Sequence, residues 1–174
     1  MKRFIKFIAI AVVLTLALAA LASCGGNAGN DTANDTGKDT EADNGNTLAG
    51  EVKTSGNITV FVPEEFDFSG TNLFNEEDEN AARLINKEDG SNYVLISLYD
   101  KASAESSLDM TREINEGSED ITVVYGGNTW AGVRYDSFGY DVFQVYCEAN
   151  RALVTCCGYT IDSDVAAAVL GSIK

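Results

Sequence analysis

Residues 121–159 read ITVVYGGNTWAGVRYDSFGYDVFQVYCEANRALVTCCGY, and this stretch decides the fold. It contains four segments rich in β-branched and aromatic residues, separated by short turns of Gly, Asn and other polar residues. The predicted strands are residues 121–125, 129–138, 140–148 and 152–159. Consecutive strands on such short connections can pair only antiparallel, so the stretch predicts a four-stranded meander.

A fifth strand is predicted near the start of the same domain. Residues 57–62 alternate between polar and apolar positions and stop at Pro63, the only proline in the chain. The positions predicted to point into the core are Ile58, Val60 and Val62. The acidic residues 64–79 that follow are predicted to form a long loop.

A hairpin is predicted between this strand and the meander. Residues 82–87 and 93–99 flank Asp89-Gly90, a pair preferred in tight hairpin turns. The core-facing positions of its second strand are predicted to be Val94, Ile96 and Leu98.

Two helices complete the predicted elements. The first has Ser103 as N-cap, runs to about Glu116 and is stopped by Gly117. The second begins at Asp162-Ser163-Asp164, whose acidic residues suit a helix N-terminus. The predicted buried positions are Leu108, Thr111 and Ile114 in the first helix, and Val165, Ala168, Val169 and Ile173 in the second.

The predicted order is therefore three strands, a helix, four strands and a helix. An antiparallel sheet of about six to seven strands with two helices packed on it belongs to the α+β class. Residues 51–174 are close to the commonest domain size and are predicted to form this single domain.

Three features of this domain carry a resemblance to a known fold. They are a strand that runs into Pro63, a central helix followed by a meander containing Trp130, and a closing helix that ends in Leu170-Gly171-Ser172-Ile173. Over about residues 51–174 the pattern resembles the Mog1/PsbP-like fold, which occurs in many small bacterial lipoproteins. The resemblance implies a binding or accessory protein, and it carries over no functional residues.

The N-terminus is typical of a secretory signal. A basic start containing Lys2, Arg3 and Lys6 precedes an apolar run over residues 7–21. The run ends in Leu21-Ala22-Ser23-Cys24, which resembles the bacterial lipobox. That resemblance implies that the Cys24 thiol receives diacylglycerol and that cleavage removes residues 1–23. The alternative is an uncleaved membrane-spanning helix, for which the apolar stretch is just long enough.

Residues 24–50 are predicted to be a lipidated Cys24 followed by a disordered tether. Residues 25–50 consist mostly of Gly, Asn, Asp and Thr, with almost no apolar side chains. Such a segment cannot bury enough surface to offset the entropy lost on ordering. As a flexible coil it would reach roughly 25–30 Å.

The charge balance excludes several classes of partner. Removing residues 1–23 leaves 9 basic residues against 27 acidic ones, a net charge near −18. Such a surface repels phosphate backbones, so no nucleic acid partner is predicted. It also disfavours electrostatic docking on anionic lipid, so attachment to a membrane needs the lipid on Cys24.

The chain contains no histidine. This removes the usual general base, the commonest metal ligand and every catalytic triad built on imidazole. No catalytic residue, metal or cofactor is predicted, and the chain is not predicted to be an enzyme. The alternative is a carboxylate-dependent hydrolase, for example one using Asp141 and Glu148, although alternation puts these two on opposite faces of one strand.

Cys147, Cys156 and Cys157 lie in the last predicted hairpin. Outside the cytoplasm an odd number of cysteines favours one disulfide and one free thiol. Along the strands, however, Cys147 lies roughly 13 Å from either partner, beyond the ~7 Å limit between Cα atoms. All three are therefore predicted to be small apolar residues without a partner.

Two surface features remain as candidate sites. The acidic run Glu76-Glu77-Asp78-Glu79 is predicted to be a solvated loop, with cation binding as the alternative. All seven tyrosines and Trp130 lie beyond residue 90, and Tyr140 and Tyr146 share one face of a predicted strand. If no helix covers that face, Trp130, Tyr140 and Tyr146 are candidates for binding a protein or glycan. The alternative is that they are ordinary strand residues.

These features predict a lipoprotein held at the extracytoplasmic face of the cell membrane through Cys24. The domain is predicted to bind a protein or glycan of the cell envelope. The Asn-rich tether and the Gly-Gly after Cys24 favour a Gram-positive cell surface.

Overall fold

The computed structural model describes residues 48–174. The predicted signal peptide, Cys24 and most of the predicted tether lie outside the described residues. The described residues belong to one compact unit. Its strands are β1 (Gly50–Ser55), β2 (Ile58–Pro63), β3 (Phe66–Ser69), β4 (Ala81–Asn86), β5 (Tyr93–Leu98), β6 (Glu119–Tyr125), β7 (Asn128–Ser137), β8 (Tyr140–Cys147) and β9 (Ala152–Cys157). Its helices are α1 (Lys101–Ile114) and α2 (Asp164–Ser172).

Seven of the strands form one antiparallel sheet in the order β3-β4-β5-β9-β8-β7-β6. Strands β1 and β2 form a separate two-stranded hairpin. The predicted α+β class, the antiparallel sheet and its two helices are confirmed. Two strands were not predicted. One is β1, which begins at the end of the segment assigned to the tether, and the other is β3, which lies inside the predicted loop 64–79.

Two tight turns set the register of the meander. Gly126-Gly127 joins β6 to β7 and closes the pair Tyr125↔Asn128. Phe138-Gly139 joins β7 to β8 and closes the pair Ser137↔Tyr140. All four turn residues have positive φ, as two-residue hairpin turns of this kind require. The turns thereby fix which side chains of β6, β7 and β8 share a face.

The main core lies on one face of the seven-stranded sheet, here named the core face. The β1–β2 hairpin and α2 cover it, and β2 contributes the predicted inward residues Ile58, Val60 and Val62. Beneath them lie alternate residues of the central strands, each at most 2% exposed: Ala82, Leu84, Val94, Ile96, Val145, Val154 and Cys156. This layer buries most of the apolar surface that stabilises the domain.

Helix α1 packs on the opposite face, mainly against β7 and β8. It buries a small second cluster, made of Ala104, Leu108, Val133, Tyr146 and Leu153. Asp100, not Ser103, is the N-cap, because its carboxylate accepts a hydrogen bond from the Ser103 backbone N–H at 2.8 Å. Ile114 is exposed at the last turn, so its predicted burial is wrong.

Helix α2 has Ser163 as N-cap, inside the predicted start. Its buried residues include Ala166 and Leu170, whereas the predicted Ala168 is only partly buried. The chain then ends against β2, where the backbones of Thr59 and Lys174 exchange two hydrogen bonds of 3.2 and 3.0 Å. Neither helix in the described part of the chain has the length and apolar composition needed to cross a bilayer.

Candidate functional site

The half of the sheet beside α1 presents a second surface, which residues 48–174 cover only in part. Strands β4, β5 and β9 direct alternate side chains away from the core face, and the main contacts of α1 are with β7 and β8 instead. We name this surface the open face and define it by six partly buried residues: Arg83, Ile85, Tyr93, Leu95, Thr155 and Cys157. The residues that alternate with them on the core face are almost fully buried. This difference in burial shows that the open face is the side of β4, β5 and β9 that is nearer to solvent.

The strand register brings the open face together from three separate strands. Leu95 pairs with Arg83 on β4 and with Thr155 on β9. Tyr93 pairs with Cys157, which in turn pairs with Val142 on β8. The side chains on this face are therefore close neighbours, although 65 residues of sequence lie between the end of β4 and the start of β9.

Tyr93 and Cys157 of the open face lie near Tyr135 of β7. Burial raises the pKa of Tyr93 to about 12, and the neighbouring Cys157 and Tyr135 add to the shift. Burial also raises the pKa values of Tyr135 and Cys157. All three groups are therefore neutral at physiological pH, and the cationic group on the open face is Arg83.

A chain of hydrogen bonds marks the border between α1 and the open face. The Thr111 hydroxyl donates to the Gln144 side-chain oxygen at 2.8 Å, and the Gln144 amide donates to the Thr155 hydroxyl at 3.1 Å. Arg83 is held at the other side by Asn75. These contacts leave an apolar, aromatic surface with polar groups at its edges, the composition typical of recognition surfaces.

The structure does not bring Trp130, Tyr140 and Tyr146 together on one surface. Trp130 is 0% exposed in the core, on the face opposite to Tyr146, and so does not lie on the surface for which it was a candidate. Tyr146 is 9% exposed beneath α1, and its hydroxyl donates to the Tyr99 carbonyl at 3.3 Å. Tyr140 is 39% exposed next to the β7–β8 turn. Helix α1 therefore covers the strand face at Tyr146. The part of this side of the sheet that α1 does not cover lies around Tyr93.

The three described cysteines are free thiols. Cys147 and Cys156 are buried in the core, and Cys157 points to the opposite face and is partly buried, as the adjacent positions in a strand require. Burial raises the pKa of Cys156. Burial raises the pKa of Cys157 as well, and the raised pKa values of these two thiols disfavour the reactive thiolate form.

The structure does not bring Asp141 and Glu148 together. Glu148 lies at one end of β8 and pairs with Lys101 at 3.0 Å, whereas Asp141 lies at the other end. Near Asp141 is a cleft of about 210 Å³ in which Arg134 contacts Glu119 at 2.6 Å. No charged side chain between residues 48 and 174 is buried, and no cluster of acidic, cysteine or histidine residues in this range could hold a metal ion. Within the acidic run, Glu76, Glu77 and Glu79 are exposed and Asp78 is partly buried.

Comparison with known proteins does not assign this chain to a family. No family model matches the chain, and no curated protein matches it either. The Mog1/PsbP-like resemblance therefore stays a prediction, and the geometry of the open face is the basis for a functional assignment.

Proposed function

We propose that this chain is a lipoprotein anchored through Cys24 at the extracytoplasmic face of the cell membrane, on a Gram-positive cell surface. We propose further that its domain binds a protein or glycan of the envelope through the open face. The observation that carries the binding proposal is the partly exposed surface around Tyr93 and Leu95, where an uncharged tyrosine and a leucine lie beside Arg83. Aromatic rings with polar tips suit such ligands, because they bury apolar area while keeping hydrogen-bonding groups at the edge.

The anchoring proposal rests on the sequence around Cys24. An apolar run that ends in two small residues and a cysteine suits lipid transfer and cleavage, and two or three acyl chains would hold the protein firmly on a membrane. A strongly acidic domain gains nothing from anionic lipid, so the covalent lipid has to supply the attachment. The carboxylate-dependent hydrolase has no comparable support, because Asp141 and Glu148 lie at opposite ends of β8.

Replacing Cys24 with Ala is expected to abolish lipid attachment and cleavage. Mass spectrometry of the wild-type protein extracted from membranes should give an N-terminus at Cys24 with a diacylglyceryl group, and Cys24→Ala should lack both. The control is Cys157→Ala, which removes another cysteine and should keep the lipid. A wild-type N-terminus that is unprocessed and free of lipid would contradict the anchor.

Replacing Leu95 with Lys is expected to weaken binding to isolated envelope fragments by about tenfold or more, because it places a charge at the centre of the open face. Co-sedimentation with the fragments measures this, and digesting them first with protease or with a glycan hydrolase tells a protein ligand from a glycan. The control is Met110→Lys, on the outer side of α1, where the side chain is 59% exposed. Equal binding by wild type and both variants would exclude the open face as the binding surface.

A further inference from the structure

Strand β6 forms one outer edge of the seven-stranded sheet and is the longer of the two edge strands. It spans seven residues, whereas β3 at the other edge spans four. Within residues 48–174, β6 pairs with β7 alone. A sheet edge of this length presents a row of backbone hydrogen-bonding groups that another strand can meet.

The turn after β6 determines which of these groups point outward. In a two-residue hairpin turn the closing pair exchanges two backbone hydrogen bonds, and such pairs alternate along an antiparallel ladder. The closing pair here is Tyr125↔Asn128, so Val123, Ile121 and Glu119 also bond to β7. The backbone N–H and C=O groups of Asp120, Thr122 and Val124 therefore point away from the sheet.

The charges that usually protect an edge strand are neutralised on β6. Glu119 is bonded to Arg134 at 2.6 Å, and Asp120 is bonded to Arg112 at 2.9 Å. The strand contains no proline or lysine, and Val124 is 64% exposed. An edge without these defences is open to pairing with a second strand.

We propose that β6 pairs with β6 of a second copy of this chain, antiparallel and about a two-fold axis at Thr122. This register uses all seven residues, and it sets the three outward N–H groups of each copy against carbonyl groups of the other. It places the acidic end of one strand, Glu119 and Asp120, opposite Tyr125 and Val124 of the other. No like charges then lie directly opposite each other, and Ile121 meets Val123 across the axis.

The strong negative charge of the chain opposes this association. The 174-residue chain carries a formal charge of −15, and the chain without residues 1–23 one near −18, so two copies repel each other at long range. Salt screens that repulsion but leaves the backbone hydrogen bonds in place. Dimer formation is therefore expected to strengthen as the salt concentration rises.

Co-purification of two full-length copies, co-expressed with different C-terminal tags and solubilised in detergent, tests the interface. Thr122→Lys in both copies is expected to lower recovery of the second copy at least tenfold, because the two lysines meet at the axis. Pairing a Thr122→Lys copy with a Thr122→Glu copy should restore recovery. The control is Ala131→Lys in both copies, an exposed change on β7 opposite Thr122, which should leave recovery unchanged.

Each other outcome overturns the proposal. If wild-type copies do not co-purify at any salt concentration, no such dimer forms. If Thr122→Lys copies still co-purify, or the Lys and Glu copies do not, the two-fold axis does not lie at Thr122. A different protein recovered with wild type and lost with Thr122→Lys would make the edge a site for another partner. Matching thermal unfolding of the Thr122→Lys and Ala131→Lys proteins would exclude misfolding as the cause, and none of these results depends on the ligand of the open face.

Discussion

Replacing Trp130 with Ala is expected to lower the free energy of unfolding by about 3–5 kcal/mol. The indole is 0% exposed, on the core face of β7, among the largest fully buried side chains of the domain. Truncation would remove its apolar contacts and leave a cavity that the surrounding strands cannot fill. Urea unfolding followed by circular dichroism measures the difference.

The matched variant is Trp130→Phe, which keeps an aromatic ring in the same place. The indole N–H has no hydrogen-bond partner in the described part of the chain, so losing it removes an unsatisfied polar group. We expect this variant to lose less than about 2 kcal/mol. A loss below about 1 kcal/mol for Trp130→Ala would contradict the structural role and reopen a role in binding.

Replacing Gly126 with Ala is expected to destabilise the domain by about 3 kcal/mol or more. Gly126 has a φ of 58°, a conformation that side chains other than glycine rarely adopt. A Cβ there would also collide with the backbone carbonyl of Gly171, in the last turn of α2. The β6–β7 turn and α2 therefore touch backbone to backbone, and a methyl group would separate them.

The adjacent Gly127 supplies the control for this prediction. It also has a positive φ, of 76°, but nothing lies within 4 Å of a Cβ built on it. Gly127→Ala should cost about 1–2 kcal/mol from backbone strain alone. Equal melting temperatures for the two variants would show that the contact between the turn and α2 does not limit stability.

The sequence predicts most of the fold because its strands are bounded by clear local signals. The glycine turns of the meander and the alternation that ends at Pro63 locate five strands to within a few residues. The sequence does not predict strand β1, because its side chains are mostly exposed and show no apolar alternation. Strand β3 escapes because it has only four residues and sits in an acidic segment, where pairing with β4 defines it.

The candidate site could be predicted only in part. Placing Val94, Ile96 and Leu98 inward puts Tyr93 and Leu95 on the other face, so alternation alone places these two residues of the open face. Which part of that face α1 covers depends on contacts between distant segments, such as Leu108 with Tyr146. No local sequence pattern predicts those contacts. The sequence therefore makes Tyr146 a candidate binding residue, although α1 covers it, and does not single out Tyr93.

The β1–β2 hairpin has a mechanical consequence for a tethered protein. Before the hairpin, Leu48 packs against the core and the Ala49 carbonyl accepts a hydrogen bond from the Glu64 backbone N–H at 2.9 Å. The ladder then begins with Gly50 opposite Pro63 at the open end of the hairpin, while the turn lies at the far end. A pull on the preceding chain would therefore open the ladder one residue pair at a time and would not shear all six pairs together. Because β2 alone supplies Ile58, Val60 and Val62 to the core, peeling β1 would lengthen the tether by about 20 Å while these side chains stay buried. With the anchor proposed above, the first strand would thus supply extra chain length between Cys24 and the folded core when the chain is pulled.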